Sequence, residues 1–199
     1  MGSMKWAICE TVPRALASEA ARNQLLDAVE ELVNTQGVAR FTLEAVAKQA
    51  GLSKSGLLHY FPSKDSLIEA LVARTVAQWQ ESLRQAIELQ PEGPHRTALG
   101  LLDCCLGDMS QWNERLRRSS TALLAILVHC PGRATPMHNF YQRLHAQMQE
   151  ESPDQPVSDL VLAVVDGIWV RWVTGLAPMS EPQIAQLRSA LKRLLPQFG

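Results

Sequence analysis

Residues 53–64 read SKSGLLHYFPSK. The stretch places a glycine among good helix formers, crowds His59, Tyr60 and Phe61 together and then meets Pro62. Ser53 is suited to cap a helix and Pro62 to stop one, so the sequence predicts a rod of about two turns. Just upstream, Thr42 caps a second short segment, LEAVAKQA (43–50), with Val46 and Ala50 facing inward. Ala47 is small where the two helices must cross. Gly51 suits the turn between them, where a positive φ is cheap only for glycine. Leu52, Leu57 and Phe61 form the inner side that holds the second helix against the first. Residues 42–61 therefore have the anatomy of a helix-turn-helix, whose second member need only lie across one major groove.

The outward residues fit that use. Lys54, Ser55, Gly56, His59 and Tyr60 face away from the expected core. The helix N-terminus favours phosphate oxygens. Gly56 lets backbone approach a duplex, at a cost of ~1 kcal/mol of helix stability relative to alanine. Ser63 starts the next helix, with Lys64 near its first turn and aimed at a phosphate. The chain as a whole carries a net charge of −1, yet residues 40–64 hold Arg40, Lys48, Lys54 and Lys64 against Glu44 alone. Positive charge thus collects on the segment expected to meet DNA.

Working outward, helical periodicity dominates. Apolar residues at Leu25, Val29, Leu32 and Val33 predict a helix from Ser18 that Gly37 ends. A long helix from Ser63 to about residue 89 carries Leu67, Leu71, Trp79, Leu83 and Ile87, with Asp65 in its first turn. QPEGPH (90–95) reads as a linker, and PGRATP, SPDQP and APMSEP are further breaks. Helical segments of roughly 95–107, 110–130, 134–151, 157–175 and 181–195 lie between them. No alternating strand pattern and no repeat is visible. The expected fold is all-α with about nine helices. Residues 1–17 read as a mobile N-terminal arm, 18–64 as the helix-turn-helix domain and 65–199 as a helical effector-binding and dimerisation domain.

The segment 24–71, QLLDAVEELVNTQGVARFTLEAVAKQAGLSKSGLLHYFPSKDSLIEAL, resembles the DNA-binding domain of the TetR family of transcriptional regulators. Its most specific parts are the Gly37 turn, the Thr42 cap, VAKQAGLSKSG and HYFPSK. The resemblance implies a homodimer of all-α subunits that represses transcription and leaves DNA when a small molecule binds the body. It also implies DNA contacts at Thr42 (phosphate), Lys54, Ser55, Gly56, His59 and Tyr60 (recognition helix) and Lys64 (phosphate). Two positions depart from the family pattern. Leu58 stands where the family commonly has a tyrosine, so one phosphate contact is lost or Leu58 packs inward. Glu44 stands where some relatives carry a base-reading arginine, and would be repelled by phosphates or accept from a cytosine amine.

Segment 157–175 is apolar round most of its circumference, and 181–195 adds a second apolar face. Leu160, Val161, Val164, Ile168, Ile184, Leu187, Leu191 and Leu194 are the expected dimer contacts, in a four-helix bundle across a two-fold axis where the family also places its interface. LAVVDGIWVRWVTG faintly resembles the C-terminal part of choline-responsive repressors of the same family. Trp112, Phe140, Tyr141, Trp169 and Trp172 would cage a quaternary ammonium if they converged on one pocket, and serve equally as core or dimer packing. The alternative is a pocket for an apolar or aromatic molecule, lined by Leu101, Cys104, Cys105, Leu123 and Leu127, with His129 or Arg171 as a polar anchor.

Other classes find little support. His138 and His145 are seven apart and lack a third ligand, so no metal site or cofactor is expected. No catalytic signature is present, and a helical enzyme or carrier with an incidental helix-turn-helix is the weakest reading. A DNA-binding protein controlled by a protein partner, with no small-molecule effector, is the main alternative. No apolar run spans a membrane and the opening residues lack a secretory pattern, so Cys9, Cys104, Cys105 and Cys130 are expected as reduced thiols in a cytoplasmic protein.

Overall fold

A computed structural model describes residues 14–108, 110, 112–152, 155–176 and 178–195, and over these residues the chain is all-α. The helices are α1 (Arg14–Gln36), α2 (Leu43–Gln49), α3 (Lys54–Tyr60), α4 (Lys64–Glu88), α5 (Arg96–Leu106), α6 (Glu114–His129), α7 (Thr135–Glu151), α8 (Gln155–Thr174) and α9 (Glu181–Leu194). A 3-10 turn, Pro131–Arg133, occupies the break expected at PGRATP. The first helix begins at Arg14, four residues before the expected start; the rest of the expected arm lies outside the described residues.

The local signals act as the chemistry requires. Gly37 closes α1 at φ +84°, and its N–H donates to the Val33 carbonyl at 2.9 Å. Thr42 Oγ1 accepts from the Ala45 N–H at 3.2 Å and Ser53 Oγ from the Gly56 N–H at 3.0 Å. Ser63 and Ser66 cap each other's backbone N–H groups at the start of α4. Gly51 turns at φ +69°, letting the Leu52 N–H reach the Ala47 carbonyl at 2.9 Å.

Helix α4, 25 residues and so ~37 Å long, is the common beam. It packs on α1 near the helix-turn-helix and on α5 and α7 farther along; α8 fills the space between α5, α6 and α7, and α9 closes against α5. One apolar cluster runs through all of this, from Leu25 and Leu57 to Ile168 and Leu191. Helix α5 lacks a cap of its own, because His95 before it is buried and left-handed at φ +61°. Glu151 from the end of α7 supplies the cap, accepting from the Thr97 N–H at 2.5 Å and the Thr97 hydroxyl at 2.6 Å. On α9, Lys192 reaches Asp103 of α5 at 2.6 Å, and Gln90 donates to the same carboxylate at 3.0 Å.

The α4–α5 crossing depends on Gly100. A Cβ there would lie 2.6 Å from Ile87 Cγ1 and 2.8 Å from Ile87 Cα. Gly100→Ala is expected to destabilise the protein by about 1–3 kcal/mol, because part of the obstruction is the Ile87 backbone, which cannot step aside as a side chain could. A lower urea midpoint with an unchanged helical spectrum is the expected measurement.

Candidate functional site

Two places in the fold carry concentrated chemistry: the α2–α3 crest and a cavity in the body. In the crest, Leu57 is 0% exposed, and Phe61 and Val46 are buried beside it. Leu52 and Ala50 are half-buried against the same cluster. Arg22 of α1 lies over the Phe61 ring at 5.4 Å and steadies the end of α3. Lys54, Ser55 and His59 are exposed, with Thr42 at the start of α2. Gly56 is half-buried; a Cβ on it would lie 3.2 Å from the capping Ser53 hydroxyl, so glycine also protects the cap. Tyr60 is half-buried, its ring edge-on to His59 at 5.4 Å, with its body on the core and only part of it outward.

The charges are arranged in ways the sequence did not reveal. Lys54 of α3 pairs with Glu44 of α2, a contact that spans the two helices. That bond holds the Glu44 carboxyl below its ordinary range. Lys64 Nζ donates to the carbonyls of Ala39 and Phe41 at 3.1 and 2.9 Å and sits 4.0 Å from the centre of the Phe41 ring. Its charge therefore staples the α1–α2 loop. Lys48 forms no ion pair among the described residues. Leu58, 39% exposed, points outward and does not pack inside.

The body holds a cavity of about 560 Å³ that is partly open to solvent. Of the expected pocket residues, Leu101, Cys104, Cys105, Trp112, Tyr141 and Trp169 line it. The other expected residues stand outside this lining. Leu123 is buried in the core and Leu127 is half-buried, both away from the lining. His129 and Arg171 are exposed near the ends of α6 and α8. Trp172 stands behind the wall, edge-on to Trp112 at 5.0 Å. Missed from sequence were Trp79 of α4, which meets Trp169 edge-to-face at 5.9 Å, and Asp166, whose Oδ1 accepts from the Tyr141 hydroxyl at 2.6 Å. Phe140, weighed only as part of a cage, lines the cavity as well. Burial first, then the bond to Asp166, pushes the Tyr141 phenol up and keeps it protonated. Cys104, Cys105 and Cys130 are free thiols, with Cys105 raised by its hydrogen bond with Cys104 and by burial; Cys9 lies outside the described residues.

The cavity is joined to α1 through α6. Ser119 lines the cavity and its hydroxyl donates to Glu30 Oε1 at 2.8 Å. The neighbouring Arg118 pairs with Glu31, and its carbonyl accepts from Asn34 Nδ2 at 3.0 Å. Glu30 also meets Arg74 of α4 at 3.2 Å.

The expected dimer contacts divide. Val161, Ile168, Ile184 and Leu191 are buried in the subunit's own core. Val164 and Leu187 are half-buried, while Leu160 and Leu194 are exposed. On α8 the residues Leu160, Ala163, Gly167 and Val170 form an exposed stripe, and on α9 Ala185 and Ser189 are exposed. A Cβ on Gly167 would meet nothing within 4 Å.

No group of three or more His, Cys, Asp or Glu among the described residues is placed to hold a metal ion. His145 instead meets Asp159 at 2.8 Å. No described helix is long and apolar enough to cross a membrane.

Comparison with known proteins agrees with this architecture. Residues 25–71 match the family model described as "Bacterial regulatory proteins, tetR family", and residues 96–196 match "Tetracyclin repressor-like, C-terminal domain". The HTH-type transcriptional regulator BetI of Escherichia coli O139:H28 (strain E24377A / ETEC) is 24% identical over 178 residues, covering 86% of this chain and 91% of that protein. BetI of Shigella flexneri serotype 5b (strain 8401) gives the same figures. Among solved structures, a putative transcriptional regulator from Pseudomonas aeruginosa PAO1 superposes with a TM-score of 0.74 at 16% identity, over 89% of this chain and 90% of that one. The multidrug binding protein EbrR complexed with malachite green gives 0.68 at 20% identity, over 88% and 98%.

The Glu44–Lys54 pair makes a prediction. Glu44→Gln is expected to tighten binding to duplex DNA of any sequence and to steepen log K against log salt by about 1, as one more cation becomes available to phosphate. A salt titration by fluorescence anisotropy measures both.

Proposed function

Because this chain belongs to the TetR family of transcriptional regulators, we propose that it acts as a homodimeric repressor, holding a palindromic operator through α2 and α3 and leaving it when a small molecule fills the body cavity. The observation that carries this reading is the pose of α3: Leu57 is sealed underneath while Lys54, Ser55 and His59 stand exposed on the opposite side. On this reading the Thr42 hydroxyl, which already accepts from Ala45, still has its proton to give to a phosphate. The capped N-terminus of α3 approaches the backbone with Lys54 and Ser55, and Gly56 permits close passage. His59 and the outer edge of Tyr60 present groups to base edges, and Lys64 acts at one remove by fixing the loop before α2.

Two copies are needed because one seven-residue helix reads only a few base pairs. The apolar stripe of Leu160, Ala163, Gly167 and Val170 supports a close α8–α9 pairing about a two-fold axis. The cavity favours a small molecule over a protein partner as the signal. Release then follows from shared parts: a ligand that displaces α6 strains the Ser119–Glu30 and Arg118–Glu31 contacts, and α1 moves with them.

Selection from random duplexes is expected to yield a palindrome with half-sites about one helical turn, ~34 Å, apart. His59→Ala is expected to weaken binding to that duplex by about tenfold or more while leaving non-specific binding nearly intact. Gly167→Glu is expected to give a folded single subunit by light scattering, with operator affinity largely lost. Recovery of no preferred sequence would overturn the operator-binding reading, and a Gly167→Glu protein still at the dimer mass would overturn the assigned interface.

A further inference from the structure

The chemistry of the cavity narrows the class of effector, on the reading just given that a ligand binds there. Two charged side chains line it, Arg115 and Asp166. Arg115 is exposed in the first turn of α6, whereas Asp166 is half-buried on α8. The hydrogen-bond partner of Asp166 is the Tyr141 hydroxyl at 2.6 Å, and no Lys, Arg or His pairs with it among the described residues. A phenol that keeps its proton cannot supply the missing charge. Burial raises the Asp166 carboxyl, with the Tyr141 hydrogen bond pulling the other way. A carboxylate withdrawn from water without a counterion is unfavourable, and a bound cation relieves that cost.

The walls point the same way. The Trp112 N–H donates to the Cys105 carbonyl at 3.0 Å and the Trp169 N–H to the Ser120 hydroxyl at 3.1 Å. With those donors engaged, the two indoles offer ring surface and have no N–H for an anion. Trp79 and Phe140 add further aromatic surface. A volume of about 560 Å³ is in the range of a drug-sized molecule. We infer that the cavity takes an organic cation, with a largely aromatic or branched apolar body and one positive centre set against the Asp166 carboxylate among the tryptophans.

Tetraphenylphosphonium and tetraphenylborate, alike in shape and opposite in charge, test this by calorimetry on the full chain, with neutral triphenylphosphine oxide as a third probe. The expected result is one phosphonium per subunit, bound about tenfold or more tighter than the borate. Asp166→Asn keeps an acceptor for Tyr141 and is expected to lose about tenfold or more for the phosphonium, with the phosphine oxide within about twofold. A thermal melt of the variant establishes that it is folded. Borate bound as tightly as phosphonium, or phosphonium affinity unmoved in Asp166→Asn, overturns the cation assignment. In that event, release of the selected operator by the phosphine oxide would leave the ligand-responsive regulator standing. Binding of none of the three overturns the cation assignment, and an operator complex indifferent to any occupant of the cavity removes the effector reading with it.

Discussion

The DNA-binding reading of this protein rests on the seating of one side chain, Leu57, beneath a helix too short to persist alone. Seven residues form less than two full turns, and helices of that length are not stable in water without tertiary support. Its start is fixed by Ser53, its end by Phe61 dropping into the core under Arg22, and its rotation by Leu57. That rotation decides which residues face solvent. A turn of 100° about the axis would bury polar groups and expose the leucine, so burial of one apolar side chain also selects the outward set.

The same economy appears at the junction with the body. Helix α4 contributes Leu67, Ile68, Leu71 and Val72 to the core near the helix-turn-helix and Trp79 and Leu83 to the cavity wall. Helix α6 does likewise, with Ser119 touching both the cavity and Glu30. Because these elements belong to both regions and interiors are close-packed, a change of shape at the cavity is not absorbed locally. Between α6 and α1 run three polar, partly exposed contacts, Ser119–Glu30, Arg118–Glu31 and Asn34–Arg118. Contacts of that kind rearrange at low cost compared with the apolar core, which suits the movement proposed for this joint.

The helix-turn-helix was legible because its signals are local. A cap acts on an N–H three residues away and a turn glycine on its own φ, so Thr42, Ser53, Ser63, Gly37 and Gly51 could be read from neighbours. Helix bounds in the body also followed the prolines closely. What stayed hidden needed distance in sequence to become proximity in space. Glu44 and Lys54 are ten residues apart, Tyr141 and Asp166 twenty-five, and Ser119 and Glu30 eighty-nine. Periodicity showed that α8 was apolar nearly all round, but not which side met α5, α6 and α7. Val161 and Ile168 therefore looked like candidate contacts although they face inward, and the small residues Ala163 and Gly167, which carry little hydropathy, drew no notice. Trp79 was placed on the right helix face, but nothing local marked that face as the lining of a cavity.

The distribution of indoles has an optical consequence. Of five tryptophans in the chain, Trp79, Trp112 and Trp169 border the cavity and Trp172 touches Trp112. Ultraviolet emission from this molecule therefore arises mainly from the region around that space. An occupant would alter their solvation and quenching directly, so the protein carries its own fluorophore at that space, and no external dye is required to see it fill.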